Sequence, residues 1–215
     1  MSKYGNRTLN WFESVINKMG GEERAEAFKR GELVLSKPVP SRWVEDKNGL
    51  IHLPPILGLG LTGPGMEDKL TSEGHSLSDD ARSIFHSEHY VPCEKGKVYY
   101  PVVVPGKLFS DEKRTTKNVR AKGDSFNLIH GESLPTELGT LVCISYTNEE
   151  IEAMGLKWLL VIHEPIEDSD GVPRLFGTDW IDSESWLVAY WDRPDHQCSR
   201  GNGFVFFALQ TSPED

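Results

Sequence analysis

The sequence predicts an α+β fold: a short N-terminal helical hairpin, a Pro/Gly-rich connector, one further helix, and then a mainly antiparallel β domain. Three observations point there. Leu9, Phe12, Val15, Ile16 and Met19 recur at three- and four-residue steps, which places them on one helix face. Pro and Gly crowd residues 36–76, in SKPVPSRW and HLPPILGLGLTGPG. Beyond residue 96, runs rich in β-branched and aromatic residues follow one another with few helical patterns between them. With 215 residues, 38% of them hydrophobic, and six Trp, the chain has enough apolar surface for a packed core.

Residues 1–35 read as the hairpin. Asn10 and Glu13 suit a capping box at the start of the first helix, and Gly20-Gly21 suits a stop. The second helix has Glu22 and Glu23 in its first turn and Lys29 and Arg30 in its last. Both placements favour the helix dipole, and Gly31 ends it. A DNA-reading helix-turn-helix would have to put that acidic first turn into the major groove, so the pair is read as structural. Residues 36–76 read as an irregular connector with one short strand. Leu57, Leu59 and Leu61 alternate there with Gly58 and Gly60, a spacing that does not fit a dinucleotide fingerprint.

A third helix is predicted over 78–89. Ser78 caps it, Asp79 and Asp80 occupy the first turn, and Ala81, Ile84 and Phe85 face inward. Strands are predicted over 97–104, 126–129, 140–146, 157–164, 172–176, 185–191 and 204–210. Pro101 breaks the first of these and suggests an edge position or a bulge. One short helix stands among them, with Thr147 and Glu150 as a capping box and Gly155 as a stop. Consecutive strands argue for a sheet closed or doubled over, and residues 77–215 form this helix-plus-β domain.

The net charge of −10 is unevenly spread. Residues 131–215 carry 4 basic and 16 acidic side chains, −12, whereas residues 93–130 carry +4. An acidic second half repels phosphate backbones, so a general nucleic-acid role is disfavoured. The basic stretch Lys113, Arg114, Lys117, Arg120 and Lys122 reads as a solvated loop paired with the acidic half. No apolar run approaches the length of a membrane span, and the N-terminus shows no signal-peptide pattern, so a cytoplasmic location is expected. Three widely spaced cysteines do not suggest a disulfide framework, and Cys143, in LVCI, reads as a small buried hydrophobe.

Candidate sites are few. His86 and His89 lie three apart, Cys93 follows, and His196 and Cys198 form a distant pair. Imidazole and thiolate are donors zinc prefers, yet this spacing fits no common zinc pattern. A metal-free chain is expected, with these five residues as the zinc alternative. Asp168-Ser-Asp170-Gly171 resembles the middle of an EF-hand loop, but Ile166 and Gly177 stand where two main ligands belong. It is read as a turn between strands.

Around Ser125 the chain runs Val119-Arg-Ala-Lys-Gly-Asp-Ser-Phe-Asn127, followed later by Gly139-Thr-Leu-Val-Cys-Ile144 and Asp170-Gly-Val-Pro-Arg-Leu-Phe176. This resembles the repressor-type self-cleaving serine peptidases, which use a Ser-Lys dyad on a β fold. The resemblance implies Ser125 as nucleophile and puts the general base on Arg174, where that family has lysine. Arginine keeps its proton at any usable pH and cannot serve. Lys157 is the nearest lysine on the downstream strands. The preferred reading is a turn in which Asp124 and Ser125 bond local backbone.

A second resemblance carries no site residues. Ile16-Asn-Lys-Met-Gly-Gly21, Gly31-Glu-Leu33, His163-Glu-Pro165, Asp168-Ser-Asp-Gly171 and Gly203-Phe-Val-Phe206 are similar to a group of small bacterial proteins without an established activity. It implies a bacterial, cytoplasmic origin.

Trp158, Trp180, Trp186, Tyr190 and Trp191 concentrate in the acidic half, interleaved with Asp179, Asp182, Glu184 and Asp192. Alternation on strands explains this structurally. The functional reading is an aromatic, acidic face for a basic or cationic partner. The sequence names no activity. It favours a non-enzymatic binding or interaction protein, with no cofactor, a protein or small-molecule partner, and no nucleic acid or membrane. The alternative is an enzyme, or an inactive relic of one, at Ser125 or at the His86/His89/Cys93 cluster.

Overall fold

The computed structural model describes residues 9–18, 21–32, 41–181 and 184–208. It divides into two compact units, Met1–Val39 and Pro40–Asp215. The first holds α1 (Leu9–Lys18) and α2 (Glu22–Lys29). Gly31, at φ 78, closes α2 as expected: its N–H bonds the Phe28 carbonyl, and the Glu32 N–H that of Ala27. The expected Gly20 stop and the Asn10 side-chain cap lie outside the described residues and side chains.

The second unit begins with β1 (Val44–Glu45), β2 (Ile51–His52), β3 (Ile56–Leu57), α3 (Gly63–Ser72), β4 (Ser76–Leu77) and α4 (Asp79–Phe85). It continues with β5 (Val98–Pro105), α5 (Thr116–Ser125), β6 (Leu128–Ile129), α6 (Thr136–Ile144) and α7 (Asn148–Ala153). The last strands are β7 (Trp158–Val161), β8 (Ile166–Glu167), β9 (Pro173–Ile181), β10 (Glu184–Trp191) and β11 (Asn202–Ala208). The sheet runs β1-β2-β5-β11-β7-β9-β10-β4, with β3 on β5, β6 on β11 and β8 on β9. Only the β11–β7 and β10–β4 pairings are parallel among the described strands, so the α+β class with a mainly antiparallel sheet stands.

Among the described strands the sheet path runs from β1 to β4 without those two pairing, so no closure is seen, and its central strands feed two apolar cores. Val102, Val103 and Val104 are all buried, as are Leu159 to Ile162 and Phe204 to Phe207. Such uninterrupted apolar runs are what a strand buried on both sides requires. Alternate residues serve different cores. Val103, Val161, Val205 and Phe207 pack with Met66 and Leu70 of α3, Phe85 of α4 and Leu138 of α6. Val102, Val104, Leu160, Phe204 and Phe206 pack with Val119 of α5, Phe109 and Cys198.

Several local expectations are corrected. The supposed connector carries helix α3, capped by the Thr62 side chain, and strands that join the sheet; Leu50, Ile51, Leu53, Met66 and Leu70 from it are buried. Of the strand expected over 140–146, residues 140–144 belong to α6, and Ser145 and Tyr146 follow its end. Positions 136–143 are buried all round, so no amphipathic period marks the helix, and an apolar run of that length is ambiguous. The basic stretch and the Gly-Asp-Ser segment lie largely on α5, where the Thr115 side chain accepts from the Asn118 N–H. The helix predicted over 78–89 has its Ser78 cap but ends at Phe85. Pro101 is not on an edge, since β5 lies between β2 and β11. It sits where the β2 ladder stops: the Leu53 N–H donates to the Pro101 carbonyl, and proline has no N–H to return the bond.

Gly123 sets how closely α5 approaches the sheet. A Cβ there would stand 2.2 Å from Cε1 of Phe206. Gly123→Ala is therefore expected to destabilise by about 1–3 kcal/mol in urea unfolding, despite alanine's better helix propensity. An unchanged midpoint would mean that α5 can lift off the sheet without cost.

Candidate functional site

One face of the sheet across β7, β9, β10 and β11 meets the loop at residues 192–201 around a cavity of about 310 Å³, lined by Trp158, Asp179, Tyr190, Trp191, Asn202 and residues 196–199. Strand pairing explains the convergence. Trp158 opens β7 opposite Asn202, which opens β11, and Tyr190 of β10 lies diagonal to Gly177 of β9. Gly177 makes room for that ring: a Cβ would come within 2.6 Å of Tyr190 Cδ2.

The polar groups here are arranged and mostly satisfied. Trp158 Nε1 donates to Asp179 Oδ1 at 3.0 Å, and the Tyr190 hydroxyl donates to the Thr178 carbonyl at 3.0 Å. Burial raises the Tyr190 hydroxyl above its ordinary range, which keeps it a donor. Asn202 is the exception. It is 7% exposed, and its Oδ1 has no hydrogen-bond partner. Trp191 is 45% exposed and meets His196 edge-on, with ring centroids 6.2 Å apart.

The loop that walls the cavity is fixed from behind by the basic stretch. Arg114, 6% exposed, donates from Nε to the Cys198 carbonyl at 3.1 Å and from Nη1 to Asp111 Oδ1 at 2.7 Å. The Cys198 N–H in turn donates to the Arg114 carbonyl at 2.7 Å. Gln197 Nε2 donates to the Asp111 carbonyl at 2.6 Å, and Arg120 makes a two-pronged pair with buried Asp192 at 3.1 and 2.6 Å. Of the basic stretch, Arg120 pairs with the acidic half, from α5 rather than from a loop, and Arg114, ahead of that helix, pairs with Asp111. Arg174 is held by Asp168 at 2.7 Å and Asp80 at 3.0 Å, and its guanidinium lies 5.7 Å from the Trp191 ring centroid. Arg193 lies 4.9 Å from the same ring.

The sequence candidates fall in separate places. Ser125 is exposed at the end of α5 and donates its hydroxyl to the Lys122 carbonyl at 2.7 Å. Arg174 is committed to its two aspartates, and the Lys157 ammonium stands 5.8 Å from the Trp158 ring centroid. His86 pairs with Glu67 at 2.8 Å, His89 is exposed, and Cys93 is buried beside Glu137 with its thiol pushed up to about 12 by burial. His196 and Cys198 belong to the wall of the cavity, and burial pushes the Cys198 thiol up to about 11. The described residues gather no group of three His, Cys, Asp or Glu able to hold a metal. Asp168 Oδ1 accepts from the N–H groups of Asp170 and Val172 at 2.9 Å, the bonding of a turn between β8 and β9.

Of the aromatic, acidic set flagged in the sequence, Trp158, Tyr190, Trp191 and Asp179 converge on the cavity, and Trp186 does not line it. The side chains of Trp180, Asp182 and Glu184 lie outside the description. Asn202 and the Arg114 clamp were missed. Nothing local marks either, because Arg114 reaches the Cys198 carbonyl 84 positions away and Asn202 meets Trp158 only across the sheet. Comparison of the chain with protein-family models, with curated proteins and with solved structures returned no match.

Proposed function

We propose that this chain is a non-enzymatic binding protein whose aromatic cavity receives a positively charged group of a small molecule or partner protein. One observation carries the reading: three large aromatic side chains, a carboxylate and a buried amide with an unpartnered oxygen share one cavity of about 310 Å³. That volume lies in the range of small-ligand sites, and aromatic faces attract cations. Among the described residues, Asp179 is the sole carboxylate on the lining, and no Lys or Arg lines the cavity. A bacterial, cytoplasmic setting belongs to the same proposal, supported by the resemblance of the chain ends to bacterial proteins. The −12 charge of residues 131–215 speaks against a phosphate-backbone partner. No described helix is long and apolar enough to cross a membrane.

The test is a thermal-shift screen of small amines, quaternary ammonium ions and guanidines against matched anions. At least one cation, at one hundred times its Kd, is expected to stabilise by about 2.7 kcal/mol, a rise of several degrees. Trp191→Ala should abolish that rise while leaving the unliganded Tm within about 2 °C, because Trp191 is nearly half exposed. Stabilisation by anions alone, or a rise that persists in Trp191→Ala, would put the binding site elsewhere.

A further inference from the structure

Resting on the reading of this cavity as a cation site, we infer that its ligand is a quaternary ammonium group rather than a cation that carries N–H donors. The two kinds differ in what they need. A primary ammonium or a guanidinium gives up hydrogen bonds to water on entry and must find acceptors inside. A quaternary ammonium has no N–H and meets rings through charge and methyl contact alone.

The polar side chains of the lining are already engaged. Asp179 accepts from Trp158 Nε1 at 3.0 Å, and the Tyr190 hydroxyl donates to the Thr178 carbonyl at 3.0 Å. In the loop, Gln197 Nε2 donates to the Asp111 carbonyl and Ser199 Oγ accepts from the Gly201 N–H at 3.2 Å. The Asn202 Oδ1 atom is itself buried, which removes it as an acceptor for a ligand. What the cavity presents is aromatic and apolar: the indoles of Trp158 and Trp191, the phenol of Tyr190 and the side chain of Leu160.

The same rings draw cations from outside the cavity. Lys157 Nζ stands 5.8 Å from the Trp158 ring centroid, and the guanidinium groups of Arg174 and Arg193 lie 5.7 and 4.9 Å from that of Trp191. None of these three cations lines the cavity, and each has partners for its N–H groups where it stands. Lys157 and Arg193 are exposed to water, and Arg174 is held by Asp168 and Asp80. Inside the cavity an N–H cation would meet the rings without those partners, whereas a quaternary one has no hydrogen bond to lose.

A free quaternary amine and a trimethylated lysine in a partner chain share this chemistry. The full chain is titrated by tryptophan fluorescence with tetramethylammonium, methylammonium, methylguanidinium and tert-butanol, an uncharged body of similar size. The capped pentapeptide Gly-Gly-Lys-Gly-Gly is titrated with its lysine trimethylated and unmodified. Tetramethylammonium should bind about tenfold more tightly than methylammonium and methylguanidinium, or the trimethylated peptide about tenfold more tightly than the unmodified one. Which of the two quaternary probes binds more tightly tells the free amine from the modified lysine, and either order supports the inference. Trp191→Leu keeps an apolar side chain but removes the ring, and Trp158 still reports. It should weaken quaternary binding about tenfold and change that of tert-butanol by less than about twofold. An unchanged quaternary affinity in that variant, or methylguanidinium or methylammonium binding as tightly as tetramethylammonium, would overturn the inference; the second result would leave the cavity a general cation site. tert-Butanol binding as tightly as tetramethylammonium, or saturation by no probe, would remove the cation reading as well.

Discussion

Glu137→Ala is expected to lower the unfolding free energy by roughly 3–5 kcal/mol, a large share of the stability of an ordinary domain. Glu137 lies in the first turn of α6 and is fully buried. Its carboxylate accepts from the backbone N–H groups of Leu59 and Gly60 at 3.1 Å and of Cys93 at 2.6 Å. Next to it, the Thr136 hydroxyl accepts from the Val91 N–H and the Glu137 N–H donates to the Val91 carbonyl. One helix start thus satisfies the backbone of two irregular segments that run under it. Alanine leaves three buried N–H donors without an acceptor, each at about 1–3 kcal/mol, and a cavity besides. Glu137→Gln keeps the shape but turns one acceptor into an –NH2 group facing N–H donors, so about half the loss is expected. Urea denaturation checks both. A loss below about 1 kcal/mol for alanine would show that water or relaxation replaces the carboxylate. Amide exchange should accelerate at Leu59, Gly60 and Cys93 before it does in β11.

The same carboxylate explains why the middle of the chain was misread. Residues 36–76 look irregular because Pro and Gly dominate them, and local signals say nothing of an acceptor 77 or 78 positions away. Signals confined to a few residues were legible: the Ser78 cap, the Thr147/Glu150 capping box and the Gly31 terminus all form as the residues imply. Strands β5, β7, β9, β10 and β11 were also visible, since their β-branched and aromatic runs are long. Helices α5 and α6 were not. The first lacks an apolar stripe, and the second is apolar all round, so neither displays a period. Without those helices the sheet had no cover, and closure was the natural inference. For the cavity, the aromatic residues and Asp179 were legible as a set. Their convergence depends on strand order, in which β11, last in the chain, lies between β5 and β7.

Stability should fall by about 3 kcal/mol as the pH drops from 6.5 to 4, and His163 should be the cause. The ring is fully buried between α6 and β9; a Cβ on Gly139 would lie 3.2 Å from its Cδ2, and its centroid is 5.7 Å from that of Phe176. Nδ1 bonds the Glu164 carbonyl at 2.6 Å, which requires a proton on Nδ1, and Nε2 accepts from the Phe176 N–H at 3.0 Å. Both nitrogens are committed to the neutral ring. Protonating Nε2 would set two donors against each other inside the core, and burial lowers the pKa from 6.5 to about 4. The unfolded chain takes up its proton near pH 6.5 and the folded chain only near pH 4. Between those values the unfolded state holds more protons, so stability falls as the pH falls, by 1.36 kcal/mol per unit of displacement. Glu150 and Asp168, whose pKa values are lowered from 4.5 and 3.8, begin to withdraw their own contributions at the acid end of that window, so the His163 slope is read in its upper part. Urea melts at half-unit pH intervals should show the slope, and His163→Gln should flatten it whatever its own midpoint. If that variant does not fold, the proton NMR titration of the His163 ring in the native chain decides. A ring that titrates near 6.5, or a stability curve flat from pH 6.5 to 4.5, would mean that water reaches Nε2 and that the β9–α6 core is open.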